Sequence, residues 1–434
     1  MRRYSLAEVV LLLIFAAGLL LSLLLVNARS RIDLSEPIAL PHSGVAVSVP
    51  VGPGWQGPGQ WVYEAPSEFV LTAALQTGSQ IAARVHYQYL LAAEGMDPAE
   101  FLKQTATAAN LRVARSGRIS EHIKIAWVQL YAPGGTADTV IGAASLPHGR
   151  ALILHVRAQG DSLLGTKLFR TLAGSIIFAP GGQIARGSEF VGQLRASGLT
   201  RSVEAGGGLA GETVFFISDP LDQPRGFQIT QFRKNADGEA WGVLRGERVD
   251  YTAGTRGSLS RSYFECNDAF DRYIWHTRRG RLRGGGGGAT EIDLAADGTL
   301  RISGGSLTRD VTCRPGAALP EMLIEQAARA YLDGLQGETL VNVIFDEGLI
   351  VPAMITAVDC SSDERNVWAA VHCVQFAFLP TGSQMALYFD RDKRLVGRVD
   401  DNRRVLVWNV SDRRRLTEAF GDLGRFLGAE NRTE

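Results

Sequence analysis

The most chemistry-like stretch of the chain sets Arg278, Arg279, Arg281 and Arg283 against the glycine run 284–288. Guanidinium groups beside backbone that can approach a ligand closely are the parts of a phosphate cradle. A Walker-type loop, however, needs G-x-x-x-x-G-K-[ST] between a strand and a helix. Here the glycines lead into Ala289, Thr290 and the strand-like run EIDL, with neither the lysine nor a helix. The run therefore reads as a hairpin connection. The four arginines read as a basic turn that could contact an anionic surface, with plain solvation as the simpler alternative.

Other reactive side chains form no known constellation. The seven histidines, His42, His86, His122, His148, His155, His276 and His372, show no H-x-x-x-H or H-E-x-x-H spacing, so no zinc hydrolase is indicated. His372 and Cys373 are neighbours in a strand-like run, where successive side chains face opposite ways. No G-x-S-x-G or S-x-x-K nucleophile occurs. The carboxylates of Asp390, Asp392, Asp400 and Asp401 are interleaved with arginines, as solubility requires. The cysteines Cys266, Cys313, Cys360 and Cys373 lack a C-x-x-C and are candidates for disulfides. Four cysteines allow three pairings; pairing of sequence neighbours, 266 with 313 and 360 with 373, is the reading adopted, with buried thiols as the alternative. No metal site, cofactor or catalytic residue is expected.

These residues must be positioned by elements. The chain of 434 residues has 45% hydrophobic and 21% charged residues, a folded balance, and zero formal net charge. A neutral chain has no global field toward nucleic acid, so no nucleic-acid partner is expected. Residues 9–26 are uncharged and apolar or small, about 27 Å of helix at 1.5 Å per residue. That exceeds a typical signal-peptide core of about 7–15 residues. A cytoplasmic tail and transmembrane anchor over 1–28 is expected, with a cleaved signal as the alternative. The bulk of the chain is then extracytoplasmic and the protein single-pass in the cell membrane.

A stalk follows at 29–44. Over 45–180 the run VAVSVPVGPGW opens a series of alternating strands. Asp97, Pro98 and Glu100 start one helix, and LLGTKLFRTLAGSIIF forms another. A Gly-rich linker is read at 181–212, around a possible short helix at SEFVGQLRA. From 213 to 428 strand follows strand, with one helix midway at PEMLIEQAARAYLDG and another at the C-terminus.

Val47, Val49, Pro50, Gly54 and Trp55, followed by Phe169, Leu172, Ser175, Ile176 and Phe178, resemble the PsbP-like family. That resemblance implies an α+β fold and an accessory or assembly role without shared catalytic residues. The later strand-strand-helix-strand order and the run ALYFDRDKRLVGRVDD (386–401) resemble LolA/LolB-like lipoprotein carriers. They imply an antiparallel half-barrel whose concave face takes an apolar ligand. Trp241, Tyr273, Trp275 and Trp368 are then the candidate ligand-binding residues. The fold expected is an N-terminal transmembrane helix, an α+β PsbP-like domain and a mostly-β half-barrel with a central helix. The function expected is non-catalytic: binding of a lipid or apolar ligand, or alternatively structural docking of another envelope protein.

Overall fold

The structure is a computed structural model. It describes residues 15 and 32–408, apart from 58, 121, 132–134, 136–137, 201–210, 220–223, 236, 250–257, 282–286, 306–309, 335–336, 361–365, 367 and 402. It is mostly β, with 52% of residues in strands and four α-helices among those described.

The first sheet is built from long alternating strands: β1 (Glu68–Thr77), β2 (Gln80–Leu90), β3 (Arg112–Ser120), β4 (Lys124–Tyr131), β5 (Thr139–Leu146) and β6 (Arg150–Ala158). Their order is β1-β2-β6-β5-β4-β3, all antiparallel, with two short strands against β1. One face is covered in part by α1 (Pro98–Ala108), which sets Leu102 and Ala106 on Val128, Leu130, Ile141 and Ile153. Asp97 caps this helix by accepting from the Ala99 and Glu100 amides, as the sequence grammar predicts. The opposite face takes α2 (Ser162–Ser175), whose Phe169 lies against Gly142 of β5. Between the two sheets runs α3 (Gly182–Ser197), inside the stretch read from sequence as a glycine-rich linker.

The second sheet has fifteen strands. In chain order they are β7 (Gly211–Ser218), β8 (Pro224–Lys234), β9 (Ala240–Val249), β10 (Ser258–Asn267), β11 (Tyr273–Arg281), β12 (Ala289–Leu294), β13 (Leu300–Gly304) and β14 (Val311–Cys313). There follow β15 (Ala318–Pro320), β16 (Thr339–Ile344), β17 (Ile350–Val358), β18 (His372–Phe378), β19 (Gln384–Phe389), β20 (Leu395–Asp400) and β21 (Arg403–Trp408). Each strand pairs with its chain neighbour, except that β14 and β15 do not pair and β7 pairs with β21.

The two edges, β14 and β15, are thus consecutive in sequence. Laid flat, fifteen strands at about 4.8 Å would put their edges roughly 67 Å apart. The short link from Cys313 to Ala318 reaches at most about 18 Å. The sheet must therefore curl until its edges approach, giving a barrel open along one seam. Beyond β15 the chain turns through Glu321–Leu323 into α4 (Ile324–Gly334), which carries Ile324, Ala327, Ala328 and Tyr331 into the shared core.

The expected fold class is corrected in two respects. The described chain is dominated by β-structure, because period-two alternation continues through nearly all of it. Among the described residues no helix is long and apolar enough to cross a membrane. The proposed anchor over 1–28 lies outside the described residues apart from Phe15, so an N-terminal transmembrane helix is not supported. The helix read near the C-terminus, 412–427, also lies outside them.

Candidate functional site

The inward positions of the second sheet follow directly from alternation. On β9, Trp241, Val243 and Arg245 share a face; on β8, Gln228, Thr230 and Phe232 do; on β20, Arg398 and Asp400 do. These side chains meet the start of α4, where Glu321, Glu325 and Gln326 approach from the helix side. Phe215, Met322 and Met385 complete the wall. The remaining cavity is about 40 Å³.

Charge, unusually, lines this interior. The Arg245 guanidinium donates to both Glu321 oxygens, at 2.9 and 2.7 Å, and both side chains are largely buried. Such bidentate geometry is the strongest form of an ion pair. Arg398 pairs with Asp400 at 3.0 Å and donates to the Gln228 amide oxygen at 3.4 Å. Near the end of β11, Arg279 pairs with Asp346 at 2.5 Å and Glu347 at 2.6 Å. On α4, Arg329 donates to the Lys393 carbonyl at 3.0 Å.

The titrations follow from these neighbours. Burial alone would raise the Glu321 carboxyl, but Arg245, with Arg398 and Arg279 behind it, holds it below the usual carboxylate range. Glu325 is pushed up, because burial outweighs the attraction of Arg398 and Arg329. Asp346 is also raised, by burial first and then by Glu321 and Glu347. The arrangement balances buried charge. It presents no nucleophile with an adjacent base, and among the described residues no group of three His, Cys, Asp or Glu could hold a metal.

The structure brings together three of the four aromatic residues singled out in the sequence. Trp241, Tyr273 and Trp275 all lie in the main core. Trp241 stacks on Phe232, its ring nitrogen donates to Asp268 at 3.0 Å, and Lys234 sits over the ring. Trp275 is fully buried against Phe264 in an edge-to-face contact. Burial raises the Tyr273 hydroxyl far above the ordinary tyrosine range. Trp368 stands apart. It packs with Tyr388 on the other face of the sheet, its ring over Gly397, where a Cβ would come within 2.3 Å.

The arginine cluster also divides. Arg278 is exposed and Arg279 is committed to its acidic partners, while Arg281 lies at a strand end whose side chain is outside the described residues, as is Arg283. Cys266 and Cys313 are thiols on strands four apart in the sheet order, so the sheet itself separates them. Burial pushes the Cys313 thiol up to about 12 and Cys266 higher still, which makes both poor nucleophiles. Cys360 and Cys373 are buried in one small cluster with Tyr388 and Val399.

Sequence reasoning missed Arg245, Glu321, Glu325 and Arg398. The available signal was parity: Arg245 falls two residues beyond Val243 and four beyond Trp241, and Glu321 and Glu325 are one helical turn apart.

No known family's model matches the chain, and no curated protein matches it, so neither the PsbP-like nor the LolA/LolB-like resemblance gains support there. Among solved structures it is similar to a β-barrel-like protein of the domain of unknown function DUF1849 from Brucella abortus. The identity is 11% and the TM-score 0.33, over 46% of this chain and 97% of that one.

Proposed function

We propose that the chain is a non-catalytic docking or assembly factor of the cell envelope, which engages a partner protein rather than carrying a lipid. The observation supporting this reading is the filled interior of the second sheet. A carrier of an acyl chain or drug-sized ligand needs a cavity of roughly 300–1,000 Å³. The space between the sheet and α4 is about 40 Å³, room for little more than a water molecule. Trp275, Phe264 and Phe227 occupy the volume a ligand would take. The envelope location rests on the apolar run at 9–26, read as an export signal.

The outer face of the same sheet offers apolar contact. Tyr263 and Ile274 lie on adjacent strands, both outward-facing and 40% and 45% exposed. Native mass spectrometry of the chain from an envelope fraction should give the bare polypeptide mass. A photo-crosslinker at Ile274 should give one discrete protein adduct, and the same probe at Arg115 on the first sheet should not. A lipid reproducibly released on denaturation would overturn the reading. Trp275→Ala should then cost about 3–5 kcal/mol of stability, as core truncation does, with no change in bound mass.

A further inference from the structure

A second feature lies on the first sheet, away from the barrel. Val85, Tyr87, Leu154 and Val156 face the core, so Arg84, His86, His155 and Arg157 face the other way. In the antiparallel register His86 lies directly opposite His155, and Arg84 directly opposite Arg157. Helix α1 covers only the neighbouring part of this face. What remains open is a groove of about 550 Å³, closed at one end by Ile81, Ala82 and Gln159.

Like charges directly opposite each other in a sheet are destabilising. Two guanidiniums in register are therefore costly unless something negative lies between them. The protein supplies only part of that charge. Arg157 has Asp138 at 3.9 Å, and Glu64 lies near enough to His86 to act on it electrostatically. Among the described residues Arg84 makes no ion pair, and it is exposed to the groove.

The imidazoles complete a donor set. The Thr72 hydroxyl and His86 Nδ1 are 2.9 Å apart. With the hydroxyl donating, the neutral ring carries its proton on Nε2. Burial lowers the pKa of both rings, that of His155 to about 4, with the flanking arginines adding to the effect. Two facing imidazoles are a metal-ligand pair in type. Two adjacent guanidiniums repel a cation, and no third ligand joins them among the described residues.

We propose that this groove binds a phosphate oxyanion, held between Arg84 and Arg157 and hydrogen-bonded by His86 and His155. The phosphate arrives either as the free anion or as a phospholipid headgroup. Guanidinium forks match tetrahedral oxyanions, and the open groove leaves room for whatever the phosphate is attached to. The site is independent of the docking reading above and does not use the barrel interior.

The test compares the full-length chain with Arg84→Gln/Arg157→Gln and with a control, Arg115→Gln/Arg118→Gln. The control removes the same charge from exposed positions of β3, at the far edge of the same sheet. Calorimetric titration with inorganic phosphate reads the free anion. Co-sedimentation with phosphatidylglycerol vesicles, against phosphatidylcholine vesicles, reads the headgroup, and the difference cancels any contribution of the apolar N-terminal run. The expected result is binding in one of the two assays that falls at least tenfold in the groove variant and less than twofold in the control. Thermal unfolding shows whether the groove variant is folded; if it is not, Arg84→Lys/Arg157→Lys takes its place, with weakened but measurable binding expected. No binding in either assay, or equal loss in groove and control variants, overturns the proposal.

Discussion

Arg245 and Glu321 form an ion pair that the fold has removed from water, and its worth depends on which comparison is made. Taking two charges out of water costs several kcal/mol each, and the bidentate contact recovers much of it. Removing one partner leaves the other buried and uncompensated. Arg245→Met and Glu321→Met should therefore each cost about 3–5 kcal/mol in urea denaturation, while the double substitution should recover most of that loss. Additive losses in the double variant would mean that the two groups are stabilised separately. The same residues mark the limit of reading a site from sequence. Trp241, Tyr273 and Trp275 were legible as inward-facing because aromatic residues at period two announce a buried face. Arg245 occupies the same parity, but a charged residue in a strand is usually solvated, so its alternation was discounted. Glu321 and Glu325 needed the tertiary approach of α4 to the sheet, which no local pattern encodes.

Elements follow the same logic one level up. Long alternating strands were read correctly as strands because two faces with different solvents impose period two on the sequence. Helix α3 was harder, since Gly181, Gly182, Gly187 and Gly192 give its stretch the composition of a linker. The structure shows that two of these glycines are not equivalent. Gly187 lies against β16, and a Cβ there would stand 1.8 Å from the Leu340 carbonyl oxygen. Gly192 has nothing within 4 Å of the same position. In a helix interior glycine costs about 0.5–1 kcal/mol relative to alanine. Gly192→Ala should thus stabilise by about that amount. Gly187→Ala should destabilise despite the same gain in propensity, because α3 must lift from the strand it packs on. Urea midpoints moving in opposite directions are expected. A stabilising Gly187→Ala would show that the helix is free to shift.

Over the whole molecule, the two sheets are joined by buried contacts between residues far apart in sequence. Asn342 of β16 donates through its side-chain amide to the Leu91 carbonyl at 2.9 Å, and accepts from Arg150 of β6 at 3.4 Å. Arg150 is itself buried, and burial lowers its pKa from the ordinary arginine value. Nearby, the Ile350 amide donates to the Pro66 carbonyl at 2.7 Å, and the Tyr63 hydroxyl lies 3.0 Å from the Ile350 carbonyl. Side chains from Val45 to Phe389 belong to one continuous apolar cluster. Glycine-rich sequence between the two strand series suggested separable modules, yet pairing across more than two hundred residues cannot be seen in local composition. If these contacts couple the sheets energetically, calorimetry of the native chain should record a single unfolding transition. Asn342→Ala should strip the Leu91 carbonyl and the Arg150 guanidinium of a shared partner, lowering stability by about 2–3 kcal/mol. Asn342→Asp should keep the partner for Arg150 but lose the donor to Leu91, and so fall between the two. Two resolved transitions in the native chain would mean that the buried junction packs the sheets together without making them fold as one.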